Sequence, residues 1–195
     1  VEAAPLMCAG AAAYASHKKT GVQTGETLAI FGLGGLGQYA IQIAKLAGVR
    51  VIAVDINDEK LATARALGAD EVVVADKNAG AAIQALGGVQ GCVNFAPVGA
   101  TWPLMLAACN PRATIVLTAV PADQLAFYTY EVVERGLKVI GSSASNRQEM
   151  NELLALAAGG NVKGVINTMP FEKINDALSN LAEGRTEGRT VIDLQ

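Results

Sequence analysis

The sequence predicts an α/β fold, a doubly wound six-stranded parallel sheet with helices on both faces. Three observations carry this expectation. Short β-branched runs alternate with helical stretches along the chain. Aromatics are only 5% of residues against 51% hydrophobic overall, so the core is aliphatic, as in strands buried on both faces. A glycine-rich turn joins the first such run to the first helical pattern.

The elements follow in order. Residues 3–19 (AAPLMCAGAAAYASHKK) are a helix-prone lead-in. Thr27–Gly32 is the first strand, and Leu36, Ala40, Ile43, Ala44 and Ala47 then share one face of a helix. Arg50–Asp55, Glu71–Ala75, Gly91–Ala96, Ala113–Thr118 and Leu137–Gly141 give five more strands. Met150, Leu153, Leu154 and Ala157 mark a helix after the sixth. Right-handed crossovers leave few topologies besides a doubly wound sheet for this alternation. The tail has a strand-like start, an amphipathic helix (Ile174, Ala177, Leu178, Leu181) and a last strand, Thr190–Leu194. The expected organisation is a lead-in at 1–22, a sheet domain at 23–160 and a tail at 161–195. Lead-in and tail have no obvious partner in the sheet unit, which points to a further domain, as does a chain that opens on Val1.

Composition narrows the function. Net charge is −3 with no Lys/Arg run, which argues against a nucleic-acid or membrane surface. No apolar run approaches the ~20 residues of a membrane span. The N-terminus lacks the charged start and cleavage site of a signal peptide. Cys8, Cys92 and Cys109 form no CxxC pair, so a disulfide framework is not expected and a reducing compartment, the cytoplasm, is.

The segment IFGLGGLGQYAIQIAKLAG sets Gly32-x-Gly34-x-x-Gly37 at a strand-to-helix junction. Gly32 permits the tight turn, Gly34 lets backbone approach a pyrophosphate, and Gly37 lets the helix pack on the strand. The helix start offers unpaired N–H groups to phosphates. Asp55, 18 residues beyond Gly37, closes the second strand where an acid meets ribose hydroxyls. This is the fingerprint of a Rossmann dinucleotide site. A carboxylate there accepts from a 2′-hydroxyl and repels a 2′-phosphate, and no arginine follows at once, so NAD is expected over NADP. Lys60 either reaches the same ribose or is a solvated helix lysine.

AAPLMCAG, then IFGLGGLGQYAIQIAK, VIAVDINDEK and a terminal GRTVIDL, in that order, resemble the zinc-dependent medium-chain alcohol dehydrogenases. The resemblance covers essentially the whole chain and corresponds to the C-terminal part of such enzymes. It implies an NAD-binding domain with a tail from an incomplete catalytic domain, the N-terminal catalytic domain being absent. Gly34, Gly35 and Leu36 match the family's pyrophosphate loop, Asp55 its adenosine-ribose acid and Lys60 its ribose lysine. Thr118 and Val120 match a stretch whose backbone meets the nicotinamide carboxamide, and Ser142 and Ala144 another at that end. Arg189 matches an arginine on the cofactor phosphates. Cys8 matches the third protein ligand of a catalytic zinc; related polyol dehydrogenases carry glutamate there.

The departures are equally clear. The other zinc ligands and most of the substrate pocket belong to the family's N-terminal domain. Ala12 stands where many relatives have threonine. His17 reads as a solvated helix-end residue, and Cys92 and Cys109 as core packing. The expected function is the NAD(H)-binding portion of an enzyme that oxidises small alcohols to aldehydes or ketones, with zinc in the complete enzyme and a homo-oligomeric state. This chain alone is expected to bind cofactor without turnover. A zinc-free quinone- or enoyl-type reductase and a stand-alone NAD-binding module stay as alternatives.

Overall fold

Six parallel strands form one sheet in the order β3-β2-β1-β4-β5-β6. The strands are β1 (Thr27–Phe31), β2 (Arg50–Asp55), β3 (Glu71–Val74), β4 (Val89–Asn94), β5 (Cys109–Leu117) and β6 (Lys138–Gly141). A computed structural model describes all residues except 123, 127 and 195, so the tail is described to residue 194. β1 shows why a strand here is nearly all apolar: all five residues are buried, Leu28 and Ile30 against one core and Ala29 and Phe31 against the other.

The helices divide accordingly. α1 (Ala9–Thr20), α2 (Gly35–Leu46), α3 (Asp58–Ala66) and α7 (Arg147–Ala158) contribute to the first core. α4 (Ala79–Ala85), α5 (Thr101–Ala108) and α6 (Thr129–Arg135) cover the second. Between β1 and β4 the strand order reverses, which opens a crevice at the carboxyl ends of those strands.

Two expectations need correction. The lead-in helix is not without a partner: Ala9, Ala11, Ala13 and Ala15 on α1 are buried, and α1 packs on α2, α7 and the sheet. Gly10 makes this possible, because a Cβ there would stand 3.1 Å from Leu153 of α7. The fifth strand also begins four residues earlier than expected, at Cys109. Asn110–Arg112 forms an irregularity inside the strand, with Arg112 at φ 67° and a register shift opposite Val89–Gly91.

The tail contains β7 (Ile166–Pro170), α8 (Ile174–Ala182) and β8 (Arg189–Asp193), and β7 pairs with β8 in parallel. It is tied to the sheet unit by polar contacts: Gln42 Nε2 donates to the Lys163 carbonyl at 2.8 Å, and its Oε1 accepts from the Lys163 N–H at 3.0 Å. Leu178 and Leu181 on α8 stay more than half exposed.

Candidate functional site

The glycine loop is built by close approach. Gly32 sits at φ 90°, and a Cβ on it would lie 2.6 Å from the Ala96 nitrogen in the turn after β4. A Cβ on Gly37 would overlap the Gly32 carbonyl oxygen, so α2 rests directly on the turn. Nothing lies within 4 Å of where a Gly34 Cβ would be, which leaves the loop's outer side open. Gly34 is the N-cap of α2 and caps it with no side chain. The N–H groups of the first turn, Gly35 to Gly37, begin the helix beside it, a position suited to an anion.

Asp55 closes β2 beside this loop. It is 8% exposed, and each carboxylate oxygen already accepts a backbone N–H: Oδ2 from Leu33 at 2.7 Å, Oδ1 from Asn57 at 3.1 Å. Asp55 thus fixes the glycine loop to β2. An ionised carboxylate has about four acceptor positions, so two stay available to a ligand's hydroxyls. Asp55 and Lys60 line one cavity of about 290 Å³ with Gly34 and Thr101. Asn57 caps α3 by accepting the Lys60 N–H at 3.0 Å, which seats Lys60 in the first turn at the cavity's edge.

Four more of the predicted residues lie at the carboxyl ends of β5 and β6. Thr118 follows β5, its N–H 3.3 Å from the Asn94 carbonyl, and Val120 is 88% exposed. Ser142 follows β6, buried, with its N–H on the Leu117 carbonyl at 2.8 Å. Ala144 holds φ 50°, a left-handed conformation uncommon for a residue with a Cβ. A residue absent from the sequence reading joins them: Ser16 of α1, whose Oγ lies 2.7 Å from Thr118 Oγ1. A single serine on an alanine-rich helix carries no periodic signal that could have marked it.

Arg189 leaves β8 and crosses the start of α2, so that a Cβ on Gly35 would overlap its side chain. Its Nε is buried with no hydrogen-bond partner. Nearby Tyr39 is almost fully buried, and its hydroxyl likewise has no partner. Burial pushes the phenol's pKa up, against the pull of the Arg189 charge. A cation left with an orphaned donor beside an open helix N-terminus is equipped to take a phosphate.

Cys8 is exposed at the N-cap of α1 and shares a cavity of about 340 Å³ with Arg189. Among the described residues no three His, Cys, Asp or Glu side chains stand close enough to hold a metal ion. Zinc requires three or four such ligands, so the donor set around Cys8 does not fit it. His17 is corrected from solvated to partly buried: its Nδ1 is enclosed without a partner, and burial lowers its pKa. Cys92 and Cys109 are buried as expected, but their sulfurs also meet at 3.5 Å, which raises the Cys92 pKa further beyond the effect of burial.

Comparison with known proteins points one way. The family model for zinc-binding dehydrogenases matches residues 35–159. An alcohol dehydrogenase of Geobacillus stearothermophilus is 39% identical over 194 residues, covering 98% of this chain and 57% of the relative. Another, from Moraxella sp. (strain TAE123), is 36% identical over 99% of this chain and 58% of its own length. Among solved structures, the alcohol dehydrogenase of the hyperthermophilic archaeon Aeropyrum pernix superposes with a TM-score of 0.94 at 33% identity, covering 100% of this chain and 58% of that one. Acetophenone reductase from Geotrichum candidum in complex with NAD gives 0.86 at 26% identity, over 97% and 55% of the two chains. The chain therefore spans less than two thirds of the relatives it matches.

Proposed function

Because the chain belongs to the zinc-binding dehydrogenases of the medium-chain alcohol dehydrogenase type, we propose that it binds NAD(H) and orients it for hydride exchange with a small alcohol or aldehyde. The observation that carries this reading is Asp55. Its carboxylate holds the glycine loop through Leu33 and still faces the cavity it shares with Lys60. That arrangement recognises an unphosphorylated ribose: acceptors for two hydroxyls, with repulsion for a 2′-phosphate.

The other residues take roles around it. The first turn of α2, at Gly35, Leu36 and Gly37, and the Arg189 guanidinium above it hold the pyrophosphate. Gly32 and Gly34 supply the turn and the close approach. Backbone at Thr118, Val120, Ser142 and Ala144 meets the nicotinamide end. NAD, when bound, would supply the hydride acceptor, so that an alcohol giving it the carbinol hydride and releasing its hydroxyl proton to solvent would leave as an aldehyde or ketone.

Cys8 would offer one sulfur to a zinc ion, and the described residues do not complete a site. This favours, for the polypeptide of this sequence on its own, cofactor binding without turnover. We further propose a homo-oligomer in the cytoplasm, consistent with three free cysteines; no described helix is long and apolar enough to cross a membrane.

Titration of NADH and NADPH, followed by the fluorescence of the bound nicotinamide, tests the cofactor assignment. Saturable NADH binding with clearly weaker NADPH binding is expected. Equal or tighter NADPH binding overturns the NAD preference.

A further inference from the structure

Ser16 lies on the second half of α1 and is fully buried. Its Oγ donates to the Ala12 carbonyl at 2.6 Å and stands 2.7 Å from Thr118 Oγ1 and 3.3 Å from Ser142 Oγ. Three segments meet there: α1, the turn after β5 and the turn after β6. A hydroxyl has one proton and two lone pairs. The Ala12 carbonyl can only accept, so the Ser16 proton is drawn to it, and the Thr118 hydroxyl donates into a Ser16 lone pair. Lys19 Nζ, donating to the Gly141 carbonyl at 3.3 Å, is a second tie between α1 and the end of β6.

Packing alone does not call for a hydroxyl here. α1 buries mostly alanine around it, and a mid-helix serine bonded back to residue i−4 slightly weakens its own helix. What the hydroxyl gains is outside α1, at two turns more than 100 residues away in sequence.

Those turns lie on the far side of the β1–β4 crevice from Asp55. A dinucleotide laid across that crevice with its first ribose on Asp55 carries its second nucleotide over β4, β5 and β6. We propose that Ser16 is a positioning residue for the nicotinamide ring of this second nucleotide, fixing the spacing of the turns at Thr118 and Ser142 against α1. This rests on the cofactor reading above. Ser16 touches no part of the cofactor and acts through the two turns. The same helix carries Cys8 at its N-cap, about 12 Å along the axis from Ser16.

The test compares Ser16→Ala with the parent chain, using NADH and ADP-ribose as separate probes in calorimetric titrations, with a thermal melt of each protein. ADP-ribose keeps the adenosine, pyrophosphate and second ribose but lacks the nicotinamide ring. The expected result is a roughly 3- to 10-fold loss of NADH affinity, the scale of one hydrogen bond, with ADP-ribose affinity held within about twofold. Equal loss for both probes assigns Ser16 a merely structural role and overturns the proposal, as does no loss for either. If the parent chain binds neither probe, the cofactor reading itself fails and this inference falls with it.

Discussion

At the residue scale, Asp55 holds the glycine loop and is proposed to accept ribose hydroxyls, and two readouts of one substitution separate these tasks. Asp55→Ala removes the acceptors for the ribose, and a hydrogen bond to a charged group contributes about 1.5–3 kcal/mol. NADH affinity should fall by roughly 10- to 100-fold, with a smaller change for NADPH, so that the two converge. The same change strips the Leu33 N–H of its acceptor in a buried place, so stability should drop by about 1–3 kcal/mol in denaturant unfolding. A variant of unaltered stability would mean that the Leu33 bond is dispensable. Gly35→Ala asks a different question, because the atoms in its way belong to the flexible Arg189 side chain. The fold should survive while NADH and ADP-ribose weaken together as the guanidinium is displaced; titrations of both with a melting curve check this. These residues were legible in the sequence because backbone geometry forces glycine and carboxylate into fixed spacings. Ser16 and Gln42 were not, since each works through partners distant in sequence, and one polar residue leaves no pattern.

At the element scale, the strands were legible and α1 was misplaced, for one reason. Strand signals come from continuous Val, Ile and Leu runs, which β1 and β2 carry plainly. α1 buries mostly alanine, which gives little contrast between faces, so its place in the core was hidden from periodicity. Its outer edge is pinned to α7 instead by a polar group. The Tyr14 hydroxyl donates to Glu152 at 2.8 Å and Lys18 pairs with the same carboxylate at 2.7 Å. The Lys18 and Tyr14 hydrogen bonds hold the Glu152 pKa down at about 2, while burial and then the Glu152 bond push Tyr14 up to about 12. A depressed carboxylate contributes stability above its unfolded pKa and loses it as pH falls; a raised phenol contributes below its unfolded pKa and loses it as pH rises. Tyr14→Phe should therefore melt below the parent between about pH 4.5 and 10. The gap should close toward pH 2 as Glu152 protonates, and toward pH 12 as Tyr14 ionises. A gap constant with pH, in melts across that range, would trace to packing and not to this pair.

At the scale of the whole molecule, the sheet explains both what the chain holds and what it leaves open. β6 ends the sheet with its outer edge unpaired among the described residues, and Val139 is 38% exposed there. An open edge is a template for another strand, and pairing of two copies along β6 should give a dimer in sedimentation at tens of micromolar, where a strict monomer counts against it. Activity turns on the donor set. A catalytic zinc needs three protein ligands in fixed geometry with a fourth position open. Here Cys8 stands at the N-cap of α1 with no second and third ligand among the described residues. A Lewis-acid metal contributes several kcal/mol to such a reaction, and each ~1.4 kcal/mol is about tenfold in rate. The cofactor half is independent of that deficit, since the glycine loop, Asp55 and the sheet beneath them are complete in this chain. A purified polypeptide of these 195 residues should thus bind NADH, carry far less than one zinc per chain, and form no NADH from alcohols. Metal analysis beside an assay of NADH absorbance reads both halves. Stoichiometric zinc with turnover would show that another chain, or residues outside those described, completes the site around Cys8.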